Sequence, residues 1–332
     1  MRIGTIGTGM IVRAILENVA KTEGISCHAV YSRREETGRA LADQFGVEKV
    51  YTDLDAMCQD PEIDFVYVAS PNSLHYEHTK KALSWGKNVL CEKPFVPTVA
   101  QAKELIALAE EKGLLLIEAI TTQYHPHYPT IRQHLSDLGE LKLVTATFCQ
   151  YSSRYDLLKA GQMPNIFNPE FAAGTLMDLN LYNIHFIAGL LGSPDRVAYF
   201  PGKHENGIDT HGVLILQYGN VICQCTAAKD CWCENGVQIL GDEGYIHVTP
   251  GSGNCQQVRL VRRGQEDVTL SLPEDQWFYE IQALSALVNS GERQVFRRNL
   301  ETTLTVVDIL ERARKSAGIR FAEDDLWGNA RE

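Results

Sequence analysis

Two short stretches carry side chains able to move protons. In the first, the apolar run Val89-Leu90-Cys91 stops abruptly at Glu92, Lys93 and Pro94. A proline cannot continue a central strand, so the run reads as a short buried strand with the acid and the base at its carboxyl end. A lysine placed there can reach a bound ligand while the strand behind it stays rigid. An exposed surface pair after a strand would leave the same trace. In the second stretch, Asp178, Tyr182 and His185 fall at i, i+4 and i+7, which on a helix puts a carboxylate, a phenol and an imidazole on one face. Leu179, Ile184, Ile187 and Leu191 are then expected to pack inward. Such a polar face suits general acid-base work, and equally a hydrogen-bond ladder on a helix surface.

A third stretch points to a cofactor. Arg2-Ile3-Gly4-Thr5-Ile6 is a short strand running into Gly7-Thr8-Gly9-Met10-Ile11-Val12, and Arg13 to Ala20 has helical spacing. Strand, glycine turn and helix in that order make a dinucleotide loop, with the pyrophosphate facing the helix N-terminus. Val12 stands where a small residue normally lets helix and strand close, which predicts a slightly looser contact there. The next strand, Ser26 to Tyr31, ends in Ser32-Arg33-Arg34, where an NAD enzyme usually places an acid for the ribose 2′-hydroxyl. Two arginines and a serine favour a 2′-phosphate, hence NADP over NAD. Ser32 and Glu35 also read as a capping box for a helix ending at Phe45-Gly46. A further strand, Ile63 to Ala69, stops at Ser70-Pro71-Asn72-Ser73-Leu74-His75, which opens a helix to Gly86. That places Asn72 and His75 at the same sheet edge as the glycine loop and Lys93, although Asn72 or Ser73 as a cap and His75 as a solvated first-turn residue fit too.

The elements that must position these groups alternate strand and helix to about Ala119, the pattern of a doubly wound parallel sheet. Beyond Thr121 the rhythm changes. A proline-punctuated helix from His125-Pro126-His127 runs to Leu138-Gly139, with both histidines expected in solvent or lining a cleft. A long strand, Leu141 to Tyr151, is followed by an irregular loop, Ser152 to Ala173. From Val197 to Val261 short alternating runs read as an antiparallel sheet with hairpins, and Gln276 to Ser290 and Glu301 to Ala317 as amphipathic helices. Cys223, Cys225, Cys231 and Cys233 are expected on two of those strands. Their i, i+2 spacing differs from the C-x2-C knuckles of structural zinc, and no metal site is expected.

At 332 residues, with 44% apolar and 22% charged residues, the chain suits two globular domains. A net charge of -11 argues against nucleic acid and against an anionic membrane surface as partners. No apolar run approaches the roughly 18 residues of a membrane helix, and the start reads as a strand rather than a signal peptide. Nine scattered cysteines fit reduced thiols in a cytoplasm.

With the glycine loop, Ser70-Pro71-Asn72, Cys91-Glu92-Lys93-Pro94 and Asp178-x3-Tyr182 together, the sequence resembles the glucose-fructose oxidoreductase, inositol dehydrogenase and rhizopine catabolism (Gfo/Idh/MocA) family over nearly its whole length. The resemblance implies an α/β Rossmann domain over 1-120 and an α+β domain over 121-332. The second carries a large, mostly antiparallel, open-faced sheet that in the family often forms oligomer contacts, giving a homodimer or homotetramer. It implies a hydride transfer between NADP or NAD and a small molecule, a sugar, polyol or dihydrodiol. By motif, Lys93 matches the family's catalytic lysine, Asp178 its helix carboxylate, and Tyr182 a position held by tyrosine or histidine, with His185 a spare proton-handling group. The expected cofactor contacts are Gly7, Thr8, Gly9, Met10 and Ile11; Ser32, Arg33 and Arg34; Ser70, Pro71, Asn72 and His75; and Glu92 with Lys93. Val12 and Asn180 depart from the usual pattern. The competing expectation is a cofactor-binding sensor without chemistry.

Overall fold

The computed structural model describes residues 1-327. The chain divides after Ala119 into two compact units, and a late segment, Trp277–Glu301, belongs to the first. Assigning everything after 120 to a second domain therefore needs correction. Ser285 Oγ donates to Glu23 O at 2.8 Å and the Arg293 guanidinium to Gly113 O at 2.9 Å, so the returning helices are fastened to the first unit by polar contacts that leave no hydrophobic period in the sequence.

The first unit holds β1 (Arg2–Ile6), β2 (Ser26–Tyr31), β3 (Lys49–Tyr51), β4 (Phe65–Val68), β5 (Asn88–Glu92) and β6 (Leu116–Ala119). They form one parallel sheet in the order β3-β2-β1-β4-β5-β6. Phe65, Val66, Tyr67 and Val68 are all buried, as expected of a central parallel strand covered on both faces. The order reverses between β1 and β4, which opens a crevice at the carboxyl ends of the strands. Asp53 and Thr98 cap their helices, their side chains accepting from Asp55 N (2.8 Å) and Gln101 N (3.3 Å), and Gly46 ends its helix at φ 66 as expected. The capping box at Ser32 does not form. Arg34 is the N-cap of helix Glu35–Phe45, and the Ser32 hydroxyl turns to Thr37 Oγ1 at 2.7 Å.

The second unit holds β7 (Leu141–Cys149), β8 (Arg196–Lys203), β9 (Asp209–Tyr218), β10 (Val221–Ala228), β11 (Gly236–Gly241), β12 (Gly244–Gly251), β13 (Asn254–Arg262) and β14 (Val268–Ser271). Their order is β14-β13-β12-β11-β7-β10-β9-β8, antiparallel except where β7 meets β10. Side chains alternate: Val144, Ala146, Leu214 and Leu216 are buried, while Leu143 is 45% exposed, so one face meets the core and the other stays open. Leu181, Ile184 and Ile187 of helix Leu181–Leu191 fill that core.

Three expectations change here. The stretch after β7 is not wholly irregular, since Ser152 caps helix Ser153–Lys159 and two short 3-10 turns follow. Cys231 and Cys233 lie exposed in the loop after β10, while Cys223 and Cys225 are core residues of that strand. His125 and His127 are buried rather than solvated, with His127 Nδ1 2.7 Å from Cys255 O. Among the described residues no helix is long and apolar enough to cross a membrane.

Asp209 sets the start of the helical stretch that bears Asp178 and Tyr182. It is buried, and its carboxylate accepts from the Leu176 amide and the Tyr199 hydroxyl, both at 2.6 Å. Burial raises its pKa and these donors oppose the rise. Asp209→Ala leaves two buried donors without an acceptor and is expected to cost about 3 kcal/mol in urea unfolding, with Asp209→Asn, which keeps an acceptor, losing less.

Candidate active site

At the carboxyl edge of the parallel sheet the turns after β1, β2, β4 and β5 supply the expected groups. Gly7 has φ +116, and a Cβ there would lie 2.5 Å from Ala69 O, so only glycine lets the loop after β1 pass the end of β4. A Cβ on Gly9 meets nothing within 4 Å, and helix Met10–Val19 begins with no side-chain cap. Open approach and uncapped amides fit a pyrophosphate. Thr8 and Ile11 are partly exposed and Met10 is 82% exposed beside them. Val12 is wholly buried. Ser32 is buried and engaged with Thr37, while Arg33 and Arg34 beside it are exposed.

The turn after β4 differs from expectation at His75. Its imidazole is 1% exposed, with Nδ1 2.8 Å from Pro94 O and Nε2 2.9 Å from Ser70 O. It is neither solvated nor aimed outward. The ring ties the turn carrying Ser70, Pro71 and Asn72 to the turn carrying Lys93. His78, which the sequence reading passed over, lies three residues on, with Nδ1 3.0 Å from Ser70 Oγ. Burial and the neighbouring His75, Lys81 and Arg33 push its pKa down to about 4, so it is neutral at physiological pH.

Lys93 is partly exposed, but Glu92 is not its surface partner. Glu92 is 7% exposed, accepts from the Tyr67 hydroxyl at 2.6 Å and from the Lys93 amide at 3.2 Å, and has its pKa pushed up to about 7 by burial against the opposing charge of Lys93.

In the second unit the helix begins with a π-helical turn, Leu176–Asn180, before helix Leu181–Leu191. Such turns are rare and cluster at functional sites. Within 172-188 every residue is buried except Asp178 and Tyr182. Asp178 pairs with the nearly buried Lys229 at the end of β10, a cation the sequence reading missed. The Tyr182 ring lies 5.5 Å from that of Phe148, and a Cβ on Gly253 would come within 2.8 Å of it, so that glycine makes room for the phenol. His185 does not share the accessible face. It is wholly buried, with the Gln123 amide 3.3 Å from Nδ1. Asn180 bonds Asn183 and the Cys225 carbonyl, so it braces the helix on the sheet. Three residues beyond Phe148, Tyr151 stacks on Trp232, with centroids 4.3 Å apart and Trp232 74% exposed.

Comparison with known proteins identifies the family. Residues 1–120 match the family model "Oxidoreductase family, NAD-binding Rossmann fold", and residues 130–247 match "GFO/IDH/MocA C-terminal domain". The chain is 32% identical to scyllo-inositol 2-dehydrogenase (NADP(+)) IolU of Bacillus subtilis, over 98% of this chain and 99% of that one. It is 25% identical to human trans-1,2-dihydrobenzene-1,2-diol dehydrogenase, again over 98% and 99%. Among solved structures, the 3-ketoreductase KijD10 of Actinomadura kijaniata, in complex with NADP and TDP-benzene, superposes with a TM-score of 0.82 at 24% identity, covering 95% of this chain and 97% of that one.

Two substitutions test the cofactor edge. Gly7→Ala is expected to weaken dinucleotide binding at least tenfold by fluorescence titration, since its Cβ would displace the Ala69 carbonyl. Replacing Arg33 and Arg34 together by alanine is expected to weaken NADP by about tenfold or more while leaving NAD nearly unchanged, because only the 2′-phosphate needs the charge.

Proposed function

The chain belongs to the Gfo/Idh/MocA family of NAD(P)-dependent oxidoreductases, and from that premise we propose that it moves a hydride between NADP and a carbinol carbon of a sugar, polyol or dihydrodiol, with Tyr182 exchanging the hydroxyl proton and Lys93 assisting. The nicotinamide, when bound, supplies the site that gives or takes the hydride; the chain's own residues bind, orient and handle the proton. The observation that carries the reading is the exposure pattern of 172-188, where an otherwise buried helical stretch presents only a carboxylate and a phenol.

A phenol ordinarily ionises near pH 10, about three units too high to serve as a base at neutrality. Positive charge nearby favours the phenolate, and Lys93 is the group assigned to supply it. Asp178, held by Lys229, has a fixed carboxylate with which to accept a bond from a second substrate hydroxyl. Its charge is balanced within its own unit by Lys229. His185, wholly buried with the Gln123 amide at Nδ1, stands second to the partly exposed Tyr182. The cofactor preference follows from Arg33 and Arg34, and it agrees with the NADP(+) in the name of the Bacillus relative.

For the substrate, two relatives are named for a cyclic polyol and a ring-borne diol. A ring-borne secondary alcohol is therefore proposed here, with the exposed Tyr151–Trp232 stack as an apolar face for the ring. The open face of the eight-stranded sheet, where Leu143 and Phe200 are 45% and 65% exposed, is the proposed contact for a homodimer or homotetramer.

The test follows NADPH absorbance against inositols, sugars and dihydrodiols. Tyr182→Phe is expected to lower kcat by about 10²- to 10⁴-fold with NADP affinity unchanged. Full turnover in Tyr182→Phe together with its loss in His185→Ala would reverse the assignment of roles.

A further inference from the structure

A nearly buried lysine of the second unit is paired with the acid of the helical stretch. Lys229, just past the end of β10, is 5% exposed, and its ammonium meets Oδ2 of Asp178, whose side chain is 22% exposed. The backbone of the lysine is held from both sides. Its amide donates to Thr210 O at 2.8 Å, and its carbonyl accepts from Ser152 N at 2.9 Å. Asp209, the residue before Thr210, takes the Leu176 amide on its carboxylate and the Thr175 hydroxyl on its carbonyl, the latter at 3.2 Å. Two consecutive residues of β9 therefore fasten both members of the ion pair: the segment that carries the cation and the turn that carries the acid.

Lysine is seldom buried unless paired, and such a pair adds little net stability, because desolvating both charges offsets their attraction. What the pair supplies is direction. The ammonium takes Oδ2 from the buried side, and a carboxylate offers acceptor sites on both oxygens. Tyr182 follows one turn later, and these two are the residues of 172-188 that are not buried. Side chains at i and i+4 of a helix stand roughly 5–6 Å apart at Cβ, so one small ring can present a carbinol to the phenol and the next hydroxyl to the carboxylate.

We infer that Lys229 is a positioning residue: by fixing Asp178 it imposes a requirement for a second hydroxyl on the carbon beside the one oxidised or reduced. The inference rests on the reading of Tyr182 as the proton-exchanging group and narrows the substrate from an alcohol to a neutral vicinal diol. Lys229 itself makes and breaks no covalent bond. A carboxylate bound to an ammonium accepts and does not donate, so the group it meets must be a donor. A substrate without that hydroxyl strips water from the acid and returns no bond, which is a stronger basis for discrimination than shape. A phosphate or carboxylate in the same place is repelled.

The first test needs no variant. For the best substrate among the inositols and sugars, removing the hydroxyl beside the reacting carbon should lower kcat/KM about a hundredfold or more, and a loss of less than about threefold overturns the inference. Lys229→Met, which keeps the stem and drops the charge, should raise KM for the parent about tenfold with kcat little changed, the deoxy derivative handled as by the wild type and NADP affinity unaltered. Lys229→Gln, which keeps a donor, should lose less. Because Lys229 acts through Asp178, adding Lys229→Met to Asp178→Asn should cost less than about threefold more; full additivity marks an independent structural effect and refutes the positioning role. Calorimetric titration of the NADP-bound protein with an inositol and its deoxy derivatives reads recognition without chemistry. Binding that Lys229→Met weakens about tenfold, in a protein that turns over no alcohol, leaves the role standing and sinks the proposed reaction instead. Equal binding of the inositol and its deoxy derivatives ends the inference whatever the reaction.

Discussion

The cofactor edge depends on the close packing of two turns held by one buried ring. His75 fills the gap between the turns after β4 and β5, with a backbone carbonyl at each ring nitrogen, 2.9 Å away on the Ser70 side and 2.8 Å on the Pro94 side. Gly7 passes the end of β4 where no side chain fits. Between them, three loops from strands adjacent in the sheet are locked into one rim, and Lys93 acquires a fixed place without any bond to its own ammonium being needed for that purpose. The imidazole is a brace for the site rather than a member of it.

The second unit solves a different problem. Its central helix must be buried on nearly every side and still present two polar groups. Leu181, Ile184 and Ile187 face the sheet's core residues, while Asn180, Asn183 and Ser252 satisfy one another and the carbonyls of β10. A fully connected polar network of this kind can be buried without loss, whereas a partly connected one could not. The π-helical turn at Leu176–Asn180 sits at the point where the helix leaves Asp209, and it is there that Asp178 reaches Lys229.

Charge is distributed unequally between the two settings. Asp178 has a cation within its own unit. Glu92 and Glu280 are buried in the first unit, and burial raises both carboxyl pKa values. A group that cannot be paired in a dry interior keeps its proton.

Much of this was legible in the order of residues. The strand, glycine loop and helix at 2-19, the parallel alternation to Ala119 and the later hairpins are local signals, because backbone preference and side-chain period act between near neighbours. The type and spacing of Lys93, Asp178 and Tyr182 were readable for the same reason, as was the family. Partners and burial were not. Lys229 for Asp178, Tyr67 for Glu92, the enclosure of His75, His125 and His185, and the return of Trp277–Glu301 to the first unit all join residues distant in the chain. The linear order determined which groups could do chemistry and which elements carry them; only the tertiary structure decided which groups are stripped of water and what they then touch, since desolvation depends on every segment packed around a side chain and not on its neighbours in sequence.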